Sequence, residues 1–397
     1  MAFAYATLST RLGDYEGAIT ALERMLIFAP GLPRIQLELG VLYYRLGSYA
    51  TAEDYFERAL SGDNVPDIVR QRVSLYVSKI KNKQKRHSFS GSVMGGFRVQ
   101  SNANSGPATS QINLNGVTYT LSQQNVEKTD ANAFFASTLH YDYDLHRQGD
   151  LLEADFLFYG AKYTSLNRLD TGVAELTLGP SFNMQRFGID KTQLGIYAIG
   201  NIVGLKDDLY FGTLGAGLRF INRTSLTRSF RFKTEYRHKW YNNTPLRPTL
   251  SNRNGHELSG ELSASSVITP RIMAHGKVRL VRENVKAVFL DNLQVESEAG
   301  ATFTLSPPFR GKTAFNRNWL LDLTGGYKYI HYDHPDPSIN AAKKQKNNEY
   351  FARASLTIPV IEGINLLPQL EYRKVSSNYD IYKYDNFSAM LGIGYRF

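Results

Sequence analysis

Two imidazoles and a carboxylate fall close together at His331, Asp333 and His334. Such a set could ligate a metal ion or act as a general-base dyad. No nucleophile stands at a persuasive partner position, and Pro335 and Pro337 mark the stretch as a turn. A turn carrying an interfacial tyrosine and surface histidines accounts for it. His87, His140, His146 and His256 are scattered and add no motif. No catalytic, cofactor-binding or metal-binding residue is assigned, and the chain is not read as an enzyme.

A second chemistry is spread over many residues. From Phe230 to Trp240 one set of alternate positions is Phe230, Phe232, Thr234, Tyr236, His238 and Trp240. The other set is Arg231, Lys233, Glu235, Arg237 and Lys239. A period of two is that of a strand. The charged set must face water, because a charge at a bilayer midplane costs about 2–4 kcal/mol. The next stretch offers Glu257, Ser259, Glu261 and Ser263, the one after it Arg271, His275, Lys277 and Arg279, and the following one Gln294, Glu296 and Glu298. Neighbouring polar faces thus run mainly basic, acidic, basic, acidic. One reading is a ladder of salt bridges that fixes a barrel wall; the other is a polar lining for a passing client chain. Both stay open.

The elements that would hold these faces are strands. Read back from the carboxy terminus, Phe397, Tyr395, Ile393, Leu391, Ala389 and Phe387 alternate with small, charged or mixed residues. A strand of about 9–11 residues crosses a bilayer at a tilt. Leu391, Ile393, Tyr395 and Phe397 therefore read as the terminal signal of an outer-membrane barrel. About fourteen such windows follow residue 88: 88–99, 131–144, 150–164, 172–186, 192–204, 209–221, 228–241, 255–268, 271–284, 292–305, 318–332, 349–360, 364–377 and 385–397. An even count suits a single-chain bacterial barrel. With the amino terminus periplasmic, the long connections 100–130, 242–254, 284–291 and 333–348 would be external. The connection 306–317 is the one long link on the opposite side.

Composition agrees. Aromatics make up 12%, with 25 Tyr and 22 Phe against 2 Trp, a bias that suits strands and interfacial girdles. No apolar run reaches the length of a membrane helix. There is no cysteine, which removes disulfides and thiolate metal sites. The net charge of +10 could mark nucleic-acid binding. No nucleic-acid motif accompanies it, and the basic residues alternate along strands, so no nucleic-acid partner is expected.

Residues 1–80 have a helical period instead. Arg11-Leu-Gly-Asp-Tyr recurs as Arg45-Leu-Gly-Ser-Tyr, with Gly13 and Gly47 34 residues apart. That is the period of the tetratricopeptide repeat. Leu39-Gly40, Tyr43, Ala52, Phe56 and Ala59 follow its pattern, Pro30 closes the first repeat, and residues 66–80 read as a capping helix. Each helix pair needs a neighbour to bury its apolar face, and about three repeats are needed for stability. A longer amino-terminal part is therefore expected before Met1, and a secretory signal, absent from the opening residues, would belong to it. The inner face would show Arg34, Leu37, Val41, Tyr44 and Arg45, a groove for a client or chaperone or mere scaffold packing. Residues 81–87 form a basic linker to a barrel over residues 88–397.

A tetratricopeptide region, a linker and a barrel opening with Gly95-Gly-Phe-Arg-Val-Gln-Ser-Asn-Ala-Asn-Ser-Gly-Pro107 together resemble the surface lipoprotein assembly modulators, the Slam family. Gln100 stands where that family often has Asp. The resemblance implies an outer-membrane translocator without catalysis or cofactor. Its clients would be surface lipoproteins or secreted haem-binding proteins. Periplasmic chaperones, the barrel-assembly machinery and outer-membrane lipid would be its other partners. Loop 100–130 is expected to close the pore partly. An exopolysaccharide exporter of the repeat-plus-barrel type is the alternative; a barrel enzyme and a passive porin rank lower.

Overall fold

The computed structural model describes residues 2–397 except 13, 29–31, 62–64, 85, 124, 146–148, 226, 246 and 308–315. The chain divides into two units, Met1–Arg86 and His87–Phe397.

The first unit is helical: α1 (Ala2–Leu12), α2 (Tyr15–Phe28), α3 (Pro33–Arg45), α4 (Tyr49–Leu60) and α5 (Asp67–Gln84). Apolar residues at helical spacing build two clusters. Ala6, Ala18, Ile19, Leu22, Ile35, Leu39 and Leu42 join α1, α2 and α3. Leu37, Val41, Ala52, Phe56, Ala59, Val69, Val73 and Ile80 join α3, α4 and α5. α3 serves both because it is buried on two sides, with Pro33 at its first turn, where a missing N–H costs nothing. The expected linker begins later than residue 81, since α5 runs on through Lys81–Gln84, whose residue types favour helix. Gly13, Pro30 and Lys85 lie outside the described residues. No described helix is long and apolar enough to cross a membrane.

Among its described residues the second unit has sixteen strands. They are β1 (His87–Gln100), β2 (Gln111–Leu114), β3 (Val117–Thr120), β4 (Asp130–Asp144), β5 (Leu151–Tyr163), β6 (Thr171–Asn183), β7 (Thr192–Leu205), β8 (Asp208–Asn222), β9 (Arg228–Tyr241), β10 (Gly255–Thr269), β11 (Ile272–Val285), β12 (Asn292–Leu305), β13 (Trp319–Tyr332), β14 (Lys346–Ile361), β15 (Ile364–Ser377) and β16 (Tyr384–Arg396). β2 and β3 form a separate hairpin; the other fourteen close into an antiparallel barrel in which β1 meets β16.

The alternation dictates closure. Phe97, Leu214, Leu258, Leu280, Leu370, Leu391 and Ile393 are exposed on the outer face, so a sheet carrying them must stand in lipid. In lipid an open sheet edge would leave its N–H and C=O groups unsatisfied, so the last strand must find the first. β16 does so from Ser92 opposite Arg396 to Gln100 opposite Ser388. The approach is close: a Cβ on Gly96 would lie 2.2 Å from the Leu391 carbonyl oxygen.

Three details depart from expectation. The fourth window ends at Asn183, because residues Met184–Phe187 form a 3-10 turn in which the Asn183 side chain accepts from Gln185 N. Arg271 lies in the turn between β10 and β11 rather than on the lumenal face. The β2–β3 hairpin, inside the connection expected to be plain loop, is turned by Asn115 and Gly116, both at positive φ. Most of the long link between β12 and β13, including Pro308, lies outside the described residues.

Candidate functional site

The barrel lumen gathers the charges. On β9 the odd positions point inward, and Lys233, Arg237 and Lys239 each find a carboxylate. Lys233 Nζ is 2.8 Å from Glu235, and Arg237 bridges Glu235 and Glu175 at 2.8 Å each. Lys239 contacts Glu257 and lies 2.5 Å from Glu283. Arg279 continues the chain to Glu257 at 3.2 Å and towards Glu296 at 3.9 Å, and Lys328 closes on Glu296 at 2.8 Å. Lys277 pairs with Glu298 at 3.1 Å. Glu235 and Glu257 are only 2% and 6% exposed, so these two carboxylates are part of the wall rather than free lining. Buried carboxylates persist there because each touches two cations.

Arg231 and Glu261 share the inward face but make no ion pair among the described residues. Lys233 and Arg279 lie directly opposite Glu261, yet both turn towards the more buried Glu235 and Glu257.

Further network residues were not singled out from sequence. Arg219 contacts Glu153 and lies 3.4 Å from Asp155, and His140 bridges Asp155 at 2.5 Å and Asp142 at 2.9 Å. Tyr197 donates to Glu235 at 2.8 Å. Arg373 contacts Glu349 and, with Arg353, clasps Glu371. His140 is therefore not an isolated histidine. The signal was weak because β4 to β8 dilute their charges among Gly, Ala and Thr. His140, Asp155, Thr177, Tyr197, Arg219, Lys233 and Glu235 line one cavity of about 510 Å³ inside the barrel.

The connection between β1 and β4 carries the motif residues. Asn102 is 1% exposed. It accepts from Gly106 N at 3.0 Å, donates to Gly106 O at 2.8 Å, and its backbone N–H donates to Asn386 at 3.0 Å. Asn104 donates to Val126 O and accepts from Lys128 N. Gln100 bonds Asn386 at 3.3 Å and Tyr163 at 3.4 Å. These asparagines close the base of a loop that presents the β2–β3 hairpin. The hairpin tip then reaches the segment between β13 and β14. Asn115 N–H donates to Ile339 O at 2.8 Å, its amide donates to Pro337 O at 2.9 Å, and its carbonyl oxygen accepts from Ala341 N at 2.8 Å. Buried Tyr379 pins the same segment, accepting from Asp336 N and donating to Lys343 O at 2.6 Å. Beside it, the Lys383 ammonium 2.7 Å from Asp380 holds that carboxyl below the usual aspartate range.

Asp333 is held by the Arg282 guanidinium at 2.5 Å rather than by His331 or His334. No described contact assembles a catalytic dyad there. Of the helical-unit residues, Arg34, Val41 and Arg45 line a cavity of about 320 Å³ with Phe3, Arg72 and Tyr76. Leu37 is 1% exposed and belongs to the core, and the Tyr44 ring packs on Tyr49 and Tyr76. Leu391, Ile393, Tyr395 and Phe397 are exposed on the outside of the barrel.

The barrel is similar to the outer membrane channel DcaP of Acinetobacter baumannii, at 11% identity over 78% of this chain and 97% of that one, with a TM-score of 0.45. It is also similar to a bacterial polysaccharide outer membrane secretin, at 10% identity over 77% and 98% of the two chains, with a TM-score of 0.41. Both likenesses concern architecture alone. No curated protein matches the chain. A family model described as surface lipoprotein assembly modifier, SlipAM, matches residues 89–397, from the first barrel strand to the last residue. The chain belongs to that family, that of an outer-membrane barrel with a role in surface lipoprotein assembly and not of an enzyme class.

Proposed function

We propose that this protein delivers lipoprotein clients from the periplasm to the cell surface, with the barrel lumen as a gated polar path. The observation that carries the reading is the contact, at the long-loop end, between the β2–β3 hairpin and the segment between β13 and β14. The hairpin between β1 and β4 is held at its tip by three hydrogen bonds of Asn115 and at its base by Asn102 and Asn104. Ile112 of β2 is buried as well, so opening such a latch costs one apolar contact besides a few hydrogen bonds. The long-loop end faces outside, and Met1–Arg86 is a periplasmic tetratricopeptide region. Its cavity, lined by Arg34, Val41 and Arg45, takes up client or chaperone. The lumenal ion pairs keep the wall rigid and polar while a chain passes. Secreted proteins of the haem-binding kind fall within the same reading as clients.

The test expresses the full gene beside each small exported protein encoded next to it and reads client on intact cells by protease accessibility. Surface exposure that depends on this protein supports the reading. Equal exposure with and without it, for every neighbouring client, overturns it.

A further inference from the structure

On the outer face of the barrel, near the long-loop end, two histidines stand directly opposite each other. His238 of β9 is the register partner of His256 of β10. Directly opposed residues of antiparallel strands hold their Cβ atoms about 4.5–5.5 Å apart, which lets two imidazoles converge on one point. They do converge: the two Nδ1 atoms are 3.1 Å apart. The Tyr236 hydroxyl joins them, 2.5 Å from the same His256 Nδ1. A ring nitrogen offers either one lone pair or one proton. His256 Nδ1 therefore has two polar neighbours and a single hydrogen-bonding function to share between them.

A cation resolves this, because it takes a lone pair from every donor. Zinc–imidazole bonds are about 2.0–2.1 Å long, so two such nitrogens at angles between right and tetrahedral lie roughly 2.9–3.3 Å apart. The observed 3.1 Å falls inside that window. Imidazole donors suit Zn2+, Cu2+ and Ni2+ rather than Ca2+ or Mg2+. The rings are also oriented by neighbours: Trp240 meets His238 edge-on at 4.4 Å, and His256 stacks on Tyr236. His256, Tyr236 and Trp240 are exposed, so an ion reaches them from outside the barrel.

We propose that His238 and His256 form a binding site for one first-row divalent transition ion on the outer rim of β9–β10, with the Tyr236 hydroxyl beside it. The remaining coordination positions stay open to water or to an anionic group of the surrounding surface. The bound ion would staple the two strands at the rim. The site is independent of the lumen and of client delivery.

The experiment uses the full chain, untagged and purified in detergent, with ZnCl2 titrated calorimetrically and Cu2+ followed by electron paramagnetic resonance. The expected result is one ion per chain with nitrogen couplings on the copper signal. His238→Ala and His256→Ala should each weaken binding by no less than the roughly 10–100-fold that loss of an outer-shell partner costs. Tyr236→Phe should weaken it less. His140→Ala is the control, because His140, Asp142 and Glu153 also approach one another within 4.8 Å inside the barrel. The heat-modified gel shift of the barrel confirms that each variant is folded. Unchanged affinity in folded His256→Ala, binding lost only in His140→Ala, or no binding at all overturns the proposal.

Discussion

Replacing Asn115 by glycine tests the latch with the least collateral change. Asn115 sits at φ +50°, a region glycine adopts freely, so the turn survives the substitution. Its backbone bond to Ile339 O also survives. What is lost is the amide donation to Pro337 O at 2.9 Å and the acceptance from Ala341 N at 2.8 Å. Each hydrogen bond is worth about 0.5–1.5 kcal/mol net, so the closed state loses about 1–3 kcal/mol. That shifts the open-to-closed ratio by roughly 5–150-fold, and the exposure of the residue places the expectation at the lower end. Asn115→Asp keeps the acceptor for Ala341 N but sets a carboxylate oxygen against Pro337 O, so it should open the latch at least as far as the loss of that one donor does. The assay is single-channel recording of the purified barrel in planar bilayers, reading the fraction of time in the larger conductance. Wild-type occupancy of that state in Asn115→Gly would refute the idea that this contact governs closure.

Other consequences are more local. Glu257→Ala takes one carboxylate from Lys239 and the nearer one from Arg279; breaking a buried pair costs about 3–5 kcal/mol, and Glu283 still serves Lys239, so a loss near 3 kcal/mol is expected in denaturant unfolding of the folded barrel. Gly96→Val should prevent closure of β1 on β16, since its Cβ would meet the Leu391 carbonyl oxygen at 2.2 Å and Gly392 Cα at 2.6 Å; normal heat-modifiability of that variant would contradict the close approach. Lowering pH protonates Asp380, whose carboxyl is held down by Lys383. A depressed acid stabilises its fold fully above the ordinary aspartate range and loses that contribution only below it, so the loop should loosen in strong acid and stay unchanged between mild acid and neutrality. Proteolytic cutting of the 378–383 loop across pH reads this, and loosening already at mildly acidic pH would count against it.

The strands were legible and their partners were not, for one physical reason. A strand in lipid has to show apolar residues every second position, so windows such as 228–241, 292–305 and 364–377 coincide with β9, β12 and β15. The loop hairpin escaped because β2 and β3 are each four residues long, too short for alternation to stand out. Asn115-Gly116 was the available signal. These two histidine contacts depend on which strands become neighbours and in what register. His140 meets Asp155 across β4–β5, and His238 meets His256 across β9–β10. In the sequence those partners are 15 and 18 residues apart, with nothing local to join them.

Lumenal ion pairing shows the same limit in finer form. Alternation places Lys233, Lys239, Glu261 and Arg279 on one face but says nothing of which carboxylate each cation takes. Direct opposition would give Lys233 and Arg279 to Glu261. Instead Lys233 takes Glu235 on its own strand, while Lys239, opposite Gly255, reaches diagonally to Glu257. The side chains lean towards the carboxylates with the least water, where an unpaired charge would cost most. A passing client would therefore find Glu261 and Arg231 readier to interact than the buried Glu235 and Glu257. Arg231→Gln and Glu261→Gln should alter delivery, read by client protease accessibility on intact cells, with little change in barrel stability, and Glu235→Gln and Glu257→Gln should do the reverse.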